Sequence, residues 1–130
     1  MSRRANAHLR CQRCRMLGGL CVCALMPAPP LVTRTRVVLV LHRDEERKPT
    51  NSGRLALECL ADRATLVRGR GVEVDPAPLV VGQPVLLFPD ADAVPLERLA
   101  ASLAGPVTLL VPDGTWRQAQ RVRTRVPGLA

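Results

Sequence analysis

Four apolar runs alternate with polar, helix-compatible stretches along this chain. "RVVLVL" (Arg36 to Leu41) is continuous and rich in β-branched residues, the pattern of a strand buried on both faces. "ATLVRG" (64–69), "PVLLFPDA" (84–91) and "PVTLLV" (106–111) predict three further strands. Between the first two, "HRDEERKPTNSG" predicts a long polar loop that ends in cap chemistry: Thr50 or Asn51 starts a helix running to about Asp62. "GVEVDPAPLVVGQP" is turn-rich. Leu96 to Leu103 predicts a short helix closed by Gly105-Pro106, and Thr115 to Arg125 a longer one. Strands alternating with helices predict an α/β fold: a mostly parallel sheet with helices on its faces. No internal repeat and no low-complexity segment interrupts the pattern.

The first 26 residues lack this pattern. They are rich in Arg and Cys, and "PAPPLV" (Pro27 to Val32) then predicts an extended linker. The expected division is a small Cys-rich module with its linker over 1–30, and the α/β part over 31–130.

Composition narrows the core and the partners. The 130 residues suffice for one domain with a real core. Hydrophobic residues make up 47% but aromatics only 2%, with no Tyr, so the core must be Val, Leu and Ala. The net charge of +8 is segregated. Residues 1–15 hold five Arg and no acid, 71–97 hold five acids and no base, and four Arg with no acid follow Asp113. Basic ends predict a polyanionic partner, nucleic acid before membrane. No run approaches the ~20 apolar residues a membrane span needs. The basic start has no apolar region behind it, so no secretory signal is expected. Five cysteines without such a signal point to a reducing, cytoplasmic setting and to metal or structural roles.

Three places carry candidate chemistry. Cys11-x2-Cys14-x6-Cys21-x-Cys23 puts four thiols within 13 residues, enough to close a tetrahedral zinc site, with Gly18-Gly19 expected to turn the loop back. The C-x-C pair is the less usual half. Cys59, on an apolar helix, is expected in the core. The second place is the carboxyl edge of the sheet, where sites in open α/β folds lie. His42-Arg43 follows the first strand, and Thr50-Asn51-Ser52-Gly53 opens a helix whose free N–H groups suit either an anion or simple capping. Phe88-Pro89-Asp90 ends the third strand, with Asp90 a cap or a site residue. The third is Asp113-Gly114-Thr115-Trp116, between the last strand and the last helix. Asp113 there is either an N-cap or a base acting on a nucleic-acid substrate beside the only indole and the Arg117, Arg121, Arg125 stripe.

These motifs together resemble a family. "DGTW" followed by "RQA", the four-cysteine cluster, "LHRDEERKPTNSGRLALECL" and "LLFPDADA" are similar, in order, to the signature segments of DTW-domain tRNA-uridine aminocarboxypropyltransferases, over nearly all of residues 8–125. The resemblance implies a SPOUT-like fold with a C-terminal knot. It implies transfer of the 3-amino-3-carboxypropyl group of S-adenosylmethionine to N3 of a tRNA uridine, with Asp113 as base. It also implies that His42, Thr50, Asn51, Gly53, Phe88, Pro89, Thr115 and Trp116 contact the cofactor, which is the second substrate. Arg117, Arg121 and Arg125 would then meet the tRNA. The chain ends on "RVPGLA", after a helix that should be internal, whereas the family continues. The expectation is an incomplete SPOUT-like domain, without a whole cofactor pocket and inactive alone. The rival reading is a zinc-containing RNA-binding module without catalysis.

Overall fold

The computed structural model describes residues 6–69 and 74–125. Four strands form one parallel sheet: β1 (Thr35–His42), β2 (Arg63–Arg68), β3 (Gln83–Leu86) and β4 (Val107–Asp113). The order across the sheet is β2-β1-β4-β3, so β1 and β4 are central. Parallel neighbours need crossovers, and helices supply them. α1 (Arg43–Glu46) and α2 (Gly53–Glu58) lie between β1 and β2, α3 (Leu96–Ser102) precedes β4, and α4 (Trp116–Arg125) follows it. The expected fold class is therefore observed.

Burial in β1 explains its continuous apolar run. Side chains of a strand alternate between faces. Val38 and Val40 pack on one face with Leu110 and with Val122 of α4, while Leu39 and Leu41 pack on the other with Leu57 of α2. Both faces are covered, so all four residues are buried. One buried hydroxyl sits among them. Thr108 Oγ1 accepts from the Val81 N–H and donates to the Val81 carbonyl, each at 2.8 Å, which removes the cost of burying it.

Several boundaries differ from the sequence expectation. The stretch expected as a polar loop after β1 begins with helix α1, whose N-cap is His42: its ring nitrogen accepts from the Asp44 N–H at 3.2 Å. α2 stops at Glu58, well before Asp62. There the linker competes for backbone groups: Leu31 donates to the Cys59 carbonyl at 2.8 Å, and Ala61 donates to the Leu31 carbonyl at 2.9 Å. Cys59 is accordingly half-buried at the end of α2, not in the core. β3 ends at Leu86, and Phe88-Pro89-Asp90 lies in the loop beyond it. β4 instead runs two residues further than expected and ends on Asp113 itself.

The cysteine segment consists of three single 3-10 turns, Ala7–Leu9, Gly18–Leu20 and Cys23–Leu25. It docks on α1 and α2: Arg13 Nε pairs with Glu58 Oε2 at 3.2 Å, and Arg15 Nη1 donates to the Glu46 carbonyl at 3.2 Å.

Candidate functional site

Two clusters of chemistry-bearing side chains emerge. In the first, the ligand atoms of Cys11, Cys14, Cys21 and Cys23 all lie within 4.8 Å of one another. The turn that closes this loop is made by Arg15, not by the glycines. Arg15 adopts φ +60°, and its N–H returns to the Cys11 carbonyl at 2.9 Å, while neither Gly18 nor Gly19 needs a left-handed conformation. The C-x-C pair converges because Val22 leaves the extended region (φ −104°, ψ 7°) and Cys23 starts a helical turn. Cys11 Sγ lies 3.6 Å from Cys23 Sγ, and Cys14 Sγ lies 3.7 Å from Cys21 Sγ. A zinc tetrahedron with Zn–S bonds of ~2.3 Å has an edge of ~3.8 Å, so the donor set fits zinc. The thiols also differ in acidity. Backbone N–H groups of Cys14 and Arg13 bring the Cys11 thiol down to about 6. Burial acts against Cys14, but the N–H groups of Val22 and Met16 prevail and lower it. Burial, and then the neighbouring thiols, push Cys23 up to about 12. Four thiolates this close require a cation among them, and a bound divalent metal deprotonates its thiol ligands outright.

The second cluster stands at the carboxyl edge of the two central strands. In the parallel register Leu41 is opposite Asp113, which sets His42 and Asp113 side by side at the strand ends. Thr115 and Gln118 cap α4. Gln118 Oε1 accepts from the Thr115 N–H at 2.8 Å, and Thr115 Oγ1 accepts from the Gln118 N–H at 3.4 Å, a reciprocal capping box. Asp113 is thereby released from capping. Its Oδ2 instead accepts from Asn51 Nδ2 at 2.7 Å. The Asn51 amide is itself oriented, because its Oδ1 accepts from the Arg54 N–H of α2 at 3.2 Å.

Gln118 repeats this arrangement. With its oxygen held by Thr115, its Nε2 faces His42 Nδ1 at 3.0 Å. The Asp44 N–H also points at Nδ1, so that nitrogen is an acceptor and the ring carries its proton on Nε2. Asp44 Oδ2 lies 3.5 Å from Nδ1 on the solvent side. Thus two helix starts each hold an amide oxygen and turn the NH2 toward a site residue. Two glycines let these parts meet. A Cβ on Gly53 would overlap Asp113 Oδ2 and come within 3.1 Å of Leu39 Cδ2, and one on Gly114 would lie 2.8 Å from Gln118 Oε1.

The aromatic residues flank this polar centre. The rings of Phe88 and Trp116 lie 5.1 Å apart, centroid to centroid, tilted by 35°. Trp116 remains 65% exposed, so one side of the indole is open for stacking. An open apolar cavity of about 560 Å³ is lined by Phe88, Pro89, Leu99 and Leu109.

Of the candidate residues, His42, Asn51, Gly53, Asp113 and Thr115 converge, and Phe88 and Trp116 meet beside them. Thr50 is exposed in the turn before α2, and Pro89 joins only through the cavity. Arg117 and Arg121 are exposed along α4, whereas the side chain of Arg125 lies outside the described residues. Arg123 is committed elsewhere: it pairs with Asp90 and lies 3.8 Å from Asp92, while Asp90 Oδ1 also accepts from the Ala91 N–H at 2.7 Å and so caps the turn that follows. Gln118 was not a candidate from sequence, although the Thr-x-x-Gln spacing of a capping box signals it.

The DTW domain family matches residues 8–130. This chain belongs to the DTW-domain family. The tRNA-uridine aminocarboxypropyltransferase 2 of Drosophila melanogaster is 30% identical over 131 aligned positions, covering 95% of this chain and 52% of that protein. The Macaca fascicularis protein of the same name is 33% identical over 125 positions, covering 91% and 42%. The tRNA-uridine aminocarboxypropyltransferase A of Arabidopsis thaliana is 25% identical over 141 positions, covering 90% and 52%. The chain therefore spans about half the length of the curated relatives it matches. No solved structure matches it. Among the described residues no helix is long and apolar enough to cross a membrane.

Proposed function

We propose that this DTW-domain chain carries the zinc module and the catalytic base of a tRNA-uridine aminocarboxypropyltransferase, within a SPOUT-like fold, acting in the cytoplasm. The observation that carries this reading is the Asp113 carboxylate, released from helix capping and held by Asn51 at the carboxyl edge of the sheet. The names of the relatives support the same reaction class.

Asp113 takes the N3 proton of uridine, and the N3 electron pair attacks the aminocarboxypropyl carbon bonded to the sulfonium of S-adenosylmethionine. The C–S pair leaves with sulfur, giving neutral methylthioadenosine. General-base help of this kind contributes ~10²–10⁴-fold. The sulfonium charge is tolerated beside a carboxylate. His42, at the same edge, is the hydrogen-bonding partner for an anionic group, such as the carboxylate of the transferred chain. Trp116 offers a face for stacking, and the cavity beside Phe88 and Pro89 suits the apolar part of the adenosine. Arg117 and Arg121 face the RNA backbone, joined by Arg125 at the end of α4. Zinc, when held by Cys11, Cys14, Cys21 and Cys23, supplies structure, since four protein ligands leave no open position.

Incubation of the full-length protein with tRNA and S-adenosylmethionine tests this. Mass spectrometry should find an aminocarboxypropyl group on uridine and methylthioadenosine in equal amount. A methylated nucleoside with S-adenosylhomocysteine, or RNA binding with no transfer, would contradict it; the second result would leave a zinc-containing RNA-binding module.

A further inference from the structure

The seam between the cysteine segment and the sheet contains a second cavity, of about 340 Å³, separate from the polar centre. Its walls come from both sides: Arg10, Cys11, Gln12 and Arg15 from the cysteine segment, Arg47 and Pro49 from the turn after α1. Three arginines thus border one small space. Like charges held this close are unfavourable unless an anion joins them. Two of the nearby acids are engaged elsewhere. Glu45 is paired with Lys48, and Glu58 with Arg13. Arg10 and Arg15 use one N–H each on carbonyl groups, of Arg15 and Glu46, which fixes their planes and leaves further donors free. Arg47 forms no ion pair among the described residues.

Position links this cavity to the reaction. Pro49 lines it, and Asn51, two residues on, donates to Asp113. Two residues of chain span at most ~7 Å. One short turn of chain therefore joins the wall of the cavity to the residue that holds Asp113. Guanidinium planes suit phosphate oxygens, which they can grip in pairs.

We infer that the cavity bordered by Arg10, Arg15 and Arg47 is a phosphate subsite, taking a backbone phosphate of the RNA near the uridine presented to Asp113. This rests on the proposed function, and it adds a reason for the cysteine segment to be docked where it is: the subsite exists only at the seam. The RNA is read there by its backbone, so the contact carries no sequence preference.

Arg47→Gln is the cleanest test, because Arg47 is exposed and holds no partner that folding needs. tRNA affinity is measured against salt between roughly 50 and 200 mM for the wild type, Arg47→Gln, and Arg98→Gln, which removes an equal charge from α3. The expected result is a several-fold weaker affinity for Arg47→Gln, equal for unrelated RNA sequences, with a log–log salt slope shallower by about 1. Arg98→Gln should keep the wild-type slope. Wild-type affinity and slope in Arg47→Gln would overturn the subsite and leave the proposed function standing. A wild-type protein that binds no RNA would overturn both. Competition distinguishes the source of the phosphate: inorganic phosphate that displaces tRNA at the same concentration of phosphate groups would show a site for the free ion and overturn the RNA assignment.

Discussion

The four-cysteine cluster and the Asp113 centre are built in opposite ways. The cluster comes from 13 consecutive residues, closed by one left-handed residue and by single helical turns, and almost nothing else in the chain shapes it. The Asp113 centre draws its members from the ends of β1 and β4 and the starts of α2 and α4, from His42 to Gln118. A local site needs only spacing and a metal. A distant-residue site needs a correct sheet register, two oriented amides and two positions without a Cβ. The first should therefore fail through loss of its ion, and the second through crowding or misorientation.

Metal removal gives the largest effect. Structural zinc in small modules contributes apparent binding energies of about 10–16 kcal/mol near neutral pH. A chelator, or Cys14→Ser, should remove about one zinc per chain. Hydrogen exchange should then speed up over residues 6–26, while the amides of β1 and β4 keep their protection. Uniform loss of protection across the sheet would show that the two regions form a single cooperative unit.

Crowding comes next. Gly53→Ala puts a methyl group against Asp113 and Leu39, and overpacking of this kind costs typically 1–3 kcal/mol. Denaturation should show that loss, with a drop in transfer activity. Gly19→Ala is the matched control: nothing lies within 4 Å of its added Cβ, so zinc content and stability should hold. A harmless Gly53→Ala would mean that the approach of α2 to Asp113 is looser than described.

The smallest effect expected is that of Gln118→Ala, which removes the reciprocal cap. Loss of a cap costs about 1 kcal/mol. Gln118→Glu should restore the cap to the Thr115 N–H but not the N–H directed at His42, so stability should recover while activity does not. Recovery of both would mean that Gln118 acts as a cap alone.

These differences also explain what could be read in the sequence. The apolar run from Val37 to Leu41 announced a strand covered on both faces, and alternation with helices announced the parallel sheet. The cysteine spacing announced a cluster able to hold a metal because its geometry is local. The end of α2 was hidden, because Leu31 takes the Cys59 carbonyl from 28 residues away in the chain. The pairing of Arg123 with Asp90 was hidden for the same reason. At the site, the spacing of Asp113 was open to either a cap or a base. The capping of α4 by Thr115 and Gln118, together with the Asn51 contact, removes the cap reading and leaves the base as the proposal.

Asp113→Asn in the full-length protein tests the central claim most directly. Asn keeps the size of the side chain and an oxygen for the Asn51 amide, and it caps helices about as well as Asp, but it cannot accept the N3 proton. The expected result is unchanged folding and tRNA affinity with transfer slowed on the order of 10²-fold or more, a barrier increase of at least ~2.7 kcal/mol. Transfer at close to the wild-type rate, with zinc and tRNA bound normally, would show that the carboxylate of Asp113 is not the base.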